Sequence, residues 1–215
     1  MTTGKDSARG GGLFVISAPS GAGKTSLVKA LLGRNPGFTV SVSHTTRPPR
    51  PHEVQGREYW FVTPQEFQER LARGEFLEHA RVFDNCYGTG RATVEAVLAA
   101  GRDVILEIDW QGARQVRQSA PGCTTIFILP PSRAALEQRL RNRQTDLAAV
   151  IARRLQDAVG DMSHYREFGY VVVNDDFDTA CGQLECILTG RGQALTSDRP
   201  QLAPLLADLL GPPGR

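Results

Sequence analysis

Near the start of the chain, a short apolar run passes directly into a glycine-rich loop and then into a segment with helical spacing. The run, residues 13–18 (LFVISA), is typical of a strand that is buried on both faces of a parallel sheet. The loop that follows places Gly21 and Gly23 before Lys24. It fits the phosphate-loop (P-loop) pattern G-x-x-x-x-G-K-[ST] except at the first position, where Ala18 replaces glycine.

A loop of this kind favours phosphate binding. Gly21 and Gly23 let successive backbone N–H groups turn toward one anion, and the helix that follows adds its unpaired donors and positive dipole end. Lys24 is then expected to reach the β and γ phosphates, and the Thr25 hydroxyl to hold Mg²⁺. The predicted triphosphate-binding residues are Ala18, Pro19, Ser20, Gly21, Ala22, Gly23, Lys24, Thr25 and Ser26.

Further apolar runs alternate with segments of helical spacing, which predicts an α/β fold. These runs are residues 103–108 (DVILEI), 124–129 (TTIFIL) and 170–173 (YVVV). Because a helix-containing segment separates them, we expect parallel strands, in a five-stranded sheet flanked by helices. The predicted helix starts are Lys24, Arg91, Gln111, Ser132, Asp146 and Asp178.

The chain divides into a core, an insert and two tails. Residues 38–89 carry short alternating runs and a proline-rich elbow, which predict an inserted, partly antiparallel lobe. The core is predicted to comprise residues 13–37 and 90–190. Residues 1–12 read as a flexible, glycine-rich tail, and residues 191–215 as a tail with a short docked helix that carries leucines at helical intervals.

Composition excludes several classes of protein. A chain of 215 residues fits one domain, and its net charge of +2 is too small to favour a nucleic-acid partner. The four cysteines lack the spacing of a metal site or a disulfide framework. No apolar run reaches the roughly 20 residues that cross a bilayer, and the polar N-terminus lacks a signal-like segment, so we expect a cytoplasmic protein without a membrane partner.

Several short sequence blocks along the chain match motifs of one known family. They are residues 43–50 (SHTTRPPR), 56–62 (GREYWFV), 76–80 (FLEHA), 87–89 (YGT), 107–112 (EIDWQG), 130–132 (PPS) and 173–176 (VNDD). In order and content, from about Leu13 to about Gly190, they resemble guanylate kinases. The resemblance implies Mg²⁺-dependent phosphorylation of GMP or dGMP by ATP on a P-loop NTPase core, with an inserted GMP-binding lobe and a helical lid at about residues 137–155.

Two features of the insert fit a nucleoside monophosphate on their own chemistry. Arg47 and Arg50 lie across a proline elbow that limits the entropy lost when both clamp a phosphate. Glu78 would select guanine, because a carboxylate accepts from both N–H donors of its pairing edge, whereas adenine presents an unprotonated nitrogen there. Tyr59 and Tyr87 match family tyrosines that donate to the acceptor phosphate, although core packing is the alternative.

The remaining acceptor residues rest more heavily on the resemblance. Ser43 and Thr89 match positions that hydrogen-bond the base, with strand-end or turn hydroxyls as the alternative. Glu107 and Asp109 follow a strand at i, i+2 spacing, on one face, where a phosphotransferase places acids near Mg²⁺ and acceptor. The family pattern has Asp at the first of these positions, so Glu107 adds a methylene group.

The resemblance also assigns a lid and an adenine site. Arg139, Arg143 and Arg154 match lid arginines that reach the transferred phosphate, where they neutralise transition-state charge. Asn142 and Gln144 replace glycines of the family pattern, which puts the lid geometry in question. Asn174 and Asp175 match positions that contact the donor's adenine.

Two alternatives to a guanylate kinase stay open at this point. One is a catalytically inactive guanylate-kinase-like binding module, against which the intact phosphate loop and lid arginines argue. The other is a related kinase for another phosphorylated small molecule, which Glu78 and Thr89 disfavour. The expected partners are ATP and GMP or dGMP, without nucleic acid, and the sequence leaves a homo-oligomer open.

Overall fold

A computed structural model of the chain describes the backbone of residues 11–82, 84–141 and 148–211, and their side chains except those of residues 148–154. Within this part, five strands form one parallel sheet: β1 (Leu13–Ser17), β2 (Phe38–Val40), β7 (Asp103–Glu107), β8 (Thr124–Leu129) and β9 (Tyr170–Val173). Their order is β2-β7-β1-β8-β9. The predicted α/β core with five parallel strands is confirmed.

A second sheet has four strands: β3 (His44–Thr45), β4 (Trp60–Phe61), β5 (Phe76–Val82) and β6 (Asn85–Gly90). Their order is β4-β3-β6-β5, with β3 and β4 parallel and the other pairs antiparallel. The strand at residues 38–40, which the sequence analysis placed in the insert, pairs instead with β7 in the core sheet. This short strand lies at the sheet edge and is only partly buried, so it lacks the apolar run of the inner strands.

The described helices are α1 (Lys24–Arg34), α2 (Pro64–Ala72), α3 (Arg91–Ala99), α4 (Trp110–Ser119), α5 (Arg133–Arg141), α6 (Ala148–Met162), α7 (Phe177–Leu188) and α8 (Ala203–Leu210). Helices α1 and α7 bury their apolar side chains with one face of the parallel sheet. Helices α3 to α6 and α8 contribute to the core on the other face. The sheet therefore lies between two helical layers, as β-helix-β crossovers require.

The predicted helix starts agree closely with these bounds. Lys24 and Arg91 are the first residues of α1 and α3, while α4 and α7 each begin one residue before the predicted position. Ser132 precedes α5, and its hydroxyl accepts a hydrogen bond from the backbone of Ala135 at 3.0 Å. Asp146 lies outside the described residues.

The two tails differ from the expectation in part. The backbone N–H of Gly12 donates to the Asp103 carboxylate at 2.6 Å, so residues 11–12 are held beside β7 rather than loose. Residues 1–10 lie outside the described part. At the other end, α8 buries Leu209 completely in the core. No helix in the described ranges has the length and apolarity to span a membrane.

Leu209→Ala tests whether α8 belongs to the core. The substitution leaves a cavity at a fully buried site, so the free energy of unfolding should fall by about 2–5 kcal/mol. Leu205→Ala, at a half-buried position of the same helix, should cost clearly less. Urea unfolding of both variants measures the difference, and equal effects would contradict the packing of α8.

Candidate active site

A cavity of about 930 Å³ opens beyond the carboxyl ends of β1 and β7. The phosphate loop and the turn after β7 form its floor, and side chains of the second sheet and of α6 form its walls. Ligands of open parallel sheets bind at this end of the strands, because the loops that follow neighbouring strands converge there.

The phosphate loop has the backbone that its glycines predict. Gly21 and Gly23 adopt left-handed φ angles of 91° and 94°. A Cβ atom would lie 2.9 Å from the Leu136 side chain at the first position and 2.4 Å from Asn174 Nδ2 at the second. Both the backbone angle and the space therefore require glycine. All the predicted loop residues except Ala22, which is buried, line the cavity.

Lys24 crosses from the phosphate loop to the neighbouring strand end. Its Nζ donates to the carbonyl oxygen of Ile108, just beyond β7, at 3.0 Å. The ammonium group therefore lies in the cavity, on the same floor as Glu107 and Asp109. Thr25 is exposed and lines the same cavity.

Asn174 supports the phosphate loop from behind. Its Nδ2 donates to the backbone carbonyl of Ala22 at 2.7 Å, and the backbone carbonyl of Asn174 accepts from Arg139 Nη2 at 2.9 Å. Arg139 Nη1 is buried without a hydrogen-bond partner. Neither side chain lines the cavity, nor does the exposed Asp175. In the structure Asn174 braces the loop, and the contact of Asn174 and Asp175 with adenine stays a prediction from the resemblance.

Glu78 lies at the wall of the cavity with 3% of its surface exposed. Its Oε1 accepts from the Thr89 hydroxyl at 2.6 Å, and that hydroxyl lies 3.3 Å from the hydroxyl of Ser43. Burial raises the pKa of Glu78 to about 7, against the lowering effect of Thr89 and Lys24. The three residues predicted to read a base therefore form one hydrogen-bonded cluster.

The two acids after β7 have different surroundings. Asp109 caps α4, with its Oδ1 accepting from the backbone of Gly112 at 2.8 Å, and burial raises the pKa of Asp109. Glu107 holds a buried Oε1 that has no hydrogen-bond partner. Both acids line the cavity, which agrees with the i, i+2 spacing. Glu107 thus keeps an unpaired, buried carboxylate oxygen beside the cavity.

Tyr59 and Tyr87 pack edge to face, with ring centroids 5.9 Å apart, and both line the cavity. Burial raises the pKa of Tyr59 to about 12, so its hydroxyl remains a donor at neutral pH. The rings pack together while they face the cavity, and donation to an acceptor phosphate stays a prediction from the resemblance.

Arg47 and Arg50 do not line the cavity. Arg47 Nη2 donates to Glu53 Oε1 at 2.7 Å, and its guanidinium lies 5.5 Å from the centre of the Tyr59 ring. Arg50 Nη1 lies 3.8 Å from the same carboxylate oxygen. In this structure Glu53 occupies the position that the predicted phosphate clamp reserves for an anion. Glu53 is not among the residues predicted from the sequence, although it lies only three residues after Arg50.

The stacked rings of Trp110 and His164 form part of the cavity wall, and this contact was not predicted from the sequence. The Trp110 ring lies on the His164 ring with centroids 3.6 Å apart, and its Nε1 donates to Asp161 at 3.0 Å. Burial raises the pKa of Asp161 to about 6. Trp110 stood in the block at residues 107–112, but no local pattern linked it to residues some 50 positions later.

Two predicted lid residues cannot be placed at the site. Arg143 lies outside the described residues. Arg154 belongs to α6, but its side chain is outside the described part. Their roles therefore remain predictions from the sequence.

A family model described as guanylate kinase matches residues 11–191. The chain belongs to the guanylate kinase family. A guanylate kinase from Methylococcus capsulatus is 61% identical over 199 residues, which cover 93% of this chain and 98% of that protein. A guanylate kinase from Escherichia coli K12 is 52% identical over 202 residues, with 93% and 98% covered.

A solved guanylate kinase structure agrees with the fold. The crystal structure of the guanylate kinase from Anaplasma phagocytophilum superposes with a TM-score of 0.71 at 33% sequence identity, covering 93% of this chain and 95% of that one. The family's P-loop NTPase core thus corresponds to the parallel sheet and phosphate loop described above.

Variants of Asn174 test its support of the phosphate loop. Asn174→Ala removes the donor to a buried carbonyl, so the free energy of unfolding should fall by about 1–3 kcal/mol and KM for ATP should rise. Asn174→Asp should be at least as harmful, because it turns an oxygen toward the Ala22 carbonyl. Thermal unfolding and ATP titration measure both effects, and a near-normal Asp variant would show that only volume matters here.

Proposed function

We propose that this guanylate kinase family member transfers the γ-phosphoryl group of ATP to GMP or dGMP, yielding ADP and GDP or dGDP. The observation that carries the proposal is a single cavity lined by both the phosphate loop with Lys24 and the buried carboxylate of Glu78. A donor and an acceptor nucleotide bound at these two places would meet over the floor formed after β7.

Guanine selection follows from the cluster around Glu78. An ionised carboxylate accepts from both N–H groups of guanine's pairing edge, while adenine leaves one carboxylate oxygen facing a ring nitrogen. Because Glu78 is almost fully buried, a mismatch there leaves polar atoms unpaired at high cost. Ser43 and Thr89 supply hydroxyls beside it.

The acceptor phosphate is proposed to lie between the tyrosines and the arginine elbow. The hydroxyl of Tyr59 remains a protonated donor and Tyr87 lines the same cavity, while Arg47 would exchange Glu53 for the phosphate, with Arg50 beside it. Glu53 meanwhile keeps the cation's position fixed in the absence of ligand, which limits the entropy lost on binding. Glu107 and Asp109 complete the acceptor site in this proposal.

In the transfer step, an oxygen of the GMP phosphate forms a bond to the γ phosphorus while the bond from that phosphorus to the β–γ bridging oxygen of ATP breaks. Lys24 neutralises charge on the β and γ phosphates, and Arg139, Arg143 and Arg154 are proposed to do so on the transferred group. Asn174 and Asp175 are proposed to lie near the donor's adenine.

The donor set fits a magnesium ion that is shared with phosphates. Thr25 presents a hydroxyl to the cavity, which Glu107 also lines, and oxygen donors suit this ion. Among the described residues, no group of three or more acidic, His or Cys side chains could hold a metal. We propose that Thr25 holds Mg²⁺ together with ATP, where the ion neutralises phosphate charge.

The inactive-module alternative is not favoured, since Gly21, Gly23, Lys24 and Thr25 all line the cavity and both glycines have the left-handed angles expected of a phosphate loop. We propose small-molecule nucleotides as the partners and the cytoplasm as the location.

A coupled ADP-release assay with GMP, dGMP, AMP, UMP and CMP tests the proposed reaction. We expect turnover with GMP and dGMP that depends on Mg²⁺. Lys24→Met should lower kcat by about 100-fold or more while GMP binding persists. Lys29→Met, which changes an exposed lysine of the same helix, is the matched control. Preference for another nucleotide, or full activity of Lys24→Met, would refute the assignment.

The raised pKa of Glu78 predicts a pH dependence for GMP binding. As pH falls through about 7, the carboxyl becomes protonated and loses an acceptor, so KM for GMP should rise. The GMP phosphate itself titrates near pH 6, so Glu78→Gln should retain only that part of the profile. Asp161→Asn should keep the full profile, and KM measured from pH 6 to 8 decides the outcome.

The raised pKa of Glu78 also means that its ionisation destabilises the folded chain. Its pKa is higher in the folded chain than the ordinary value of 4.5, so the free energy of unfolding falls as pH rises from about 4.5 through about 7. The full loss, reached above pH 7, is about 3 kcal/mol. Glu78→Gln should therefore raise Tm at pH 8 but not at pH 4, and an equal change at both would contradict this origin.

A further inference from the structure

Gly112, in the first turn of α4, lies directly against the Glu78 carboxylate. A Cβ atom at this glycine would lie 2.2 Å from Glu78 Oε2 and 2.9 Å from its Cδ. Atoms cannot approach so closely, so any side chain at this position requires either the carboxylate or the helix to move.

The carboxylate is fixed on its other side. Glu78 Oε1 accepts from the Thr89 hydroxyl at 2.6 Å, and Thr89 is itself fully buried. A rotation of the carboxylate away from α4 would break this hydrogen bond within a nearly dry environment.

The helix is fixed as well. Gln115 Nε2 donates to the backbone carbonyl of His79 at 2.6 Å, and Gln115 Oε1 accepts from the backbone N–H of His79 at 3.1 Å. His79 follows Glu78 in β5, the edge strand of the second sheet. Gln115 lies one turn after Gly112 on the same face of α4, so this pair holds the helix against the strand beside Glu78.

Backbone angles do not require glycine at this position. Gly112 is not among the described glycines with a positive φ, and a glycine inside a helix is less stable there than alanine. The need for glycine therefore comes from the space that Glu78 occupies.

We propose that Gly112 is a positioning residue for guanine recognition: its missing side chain lets the Glu78 carboxylate lie against the first turn of α4, facing the acceptor cavity. The proposal rests on the proposed function, because it concerns how the same site reads its acceptor base. The positive dipole end of α4 at this first turn also favours a carboxylate at this place.

Kinetics of Gly112→Ala test the proposal. Displacement of the carboxylate should raise KM for GMP by about 10- to 100-fold and lower the preference for GMP over AMP, with KM for ATP little changed. Gly182→Ala in α7 is the matched control, because a Cβ atom there meets nothing within 4 Å. An unchanged KM for GMP in Gly112→Ala would overturn the proposal.

A double variant keeps the test decisive if Gly112→Ala also loses stability. In the Glu78→Ala background the added methyl group meets no Glu78 carboxylate, so Gly112→Ala should then lower neither Tm nor the affinity for GMP, and its higher helix propensity should raise Tm slightly. If its effect persists at full size in that background, Gly112 acts in another way and the proposal fails.

Wild-type protein in the same assay separates the role of Gly112 from the proposed function. Phosphorylation of GMP by the wild type, with no effect of Gly112→Ala, overturns only the role of Gly112. Absence of GMP phosphorylation by the wild type overturns the proposed function, and the role of Gly112 with it.

Discussion

The parallel pairing of β1 with β7 places the phosphate loop beside the acidic turn at one edge of the sheet. Ile16 lies opposite Glu107, so the phosphate loop after β1 and the acidic turn after β7 leave the sheet side by side. Lys24 can therefore reach the carbonyl of Ile108 from the opposite strand end. The turn after β7 leads directly into α4, and α4 packs against β5 of the second sheet. A shift in this register would separate the ammonium group from the acids that share its cavity.

Electrostatics at this edge work against folding. Burial raises the pKa of Glu78, Asp109 and Asp161, all of which line one cavity, so each ionised carboxylate costs free energy. The positive charge of Lys24 offsets part of this cost at Glu78 and Asp109. The backbone N–H of Gly112 contributes at Asp109, and the Thr89 hydroxyl does so at Glu78. Such a site gives up stability for the ability to bind a charged, hydrogen-bonding ligand.

Local signals explain what the sequence could predict. The phosphate loop is one continuous segment, and the strand at residues 76–82 has an alternation that buries Phe76, Glu78 and Ala80 on one face. The ion pairs of Glu53 with Arg47 and Arg50 could also have been predicted, since a carboxylate so near two arginines in sequence is a candidate partner. In contrast, the contacts of Trp110 with Asp161 and of Glu78 with Gly112 join segments more than 30 residues apart. Neither follows from a period or a motif, because only the packing of α4 against β5 and α6 creates them.

Helix α4 connects the acceptor site to the segment that carries the predicted lid. On one side, Gln115 binds the backbone of β5 beside Glu78. On the other, Trp110 binds Asp161 near the end of α6, and Arg114 Nε donates to Glu167 in the turn that follows. A movement of the end of α6 relative to α4 would have to break the ring stack and both of these polar contacts. A closure that preserves them must therefore carry α4, β5 and the end of α6 together, so that the carboxylate of Glu78 keeps its place while other segments move.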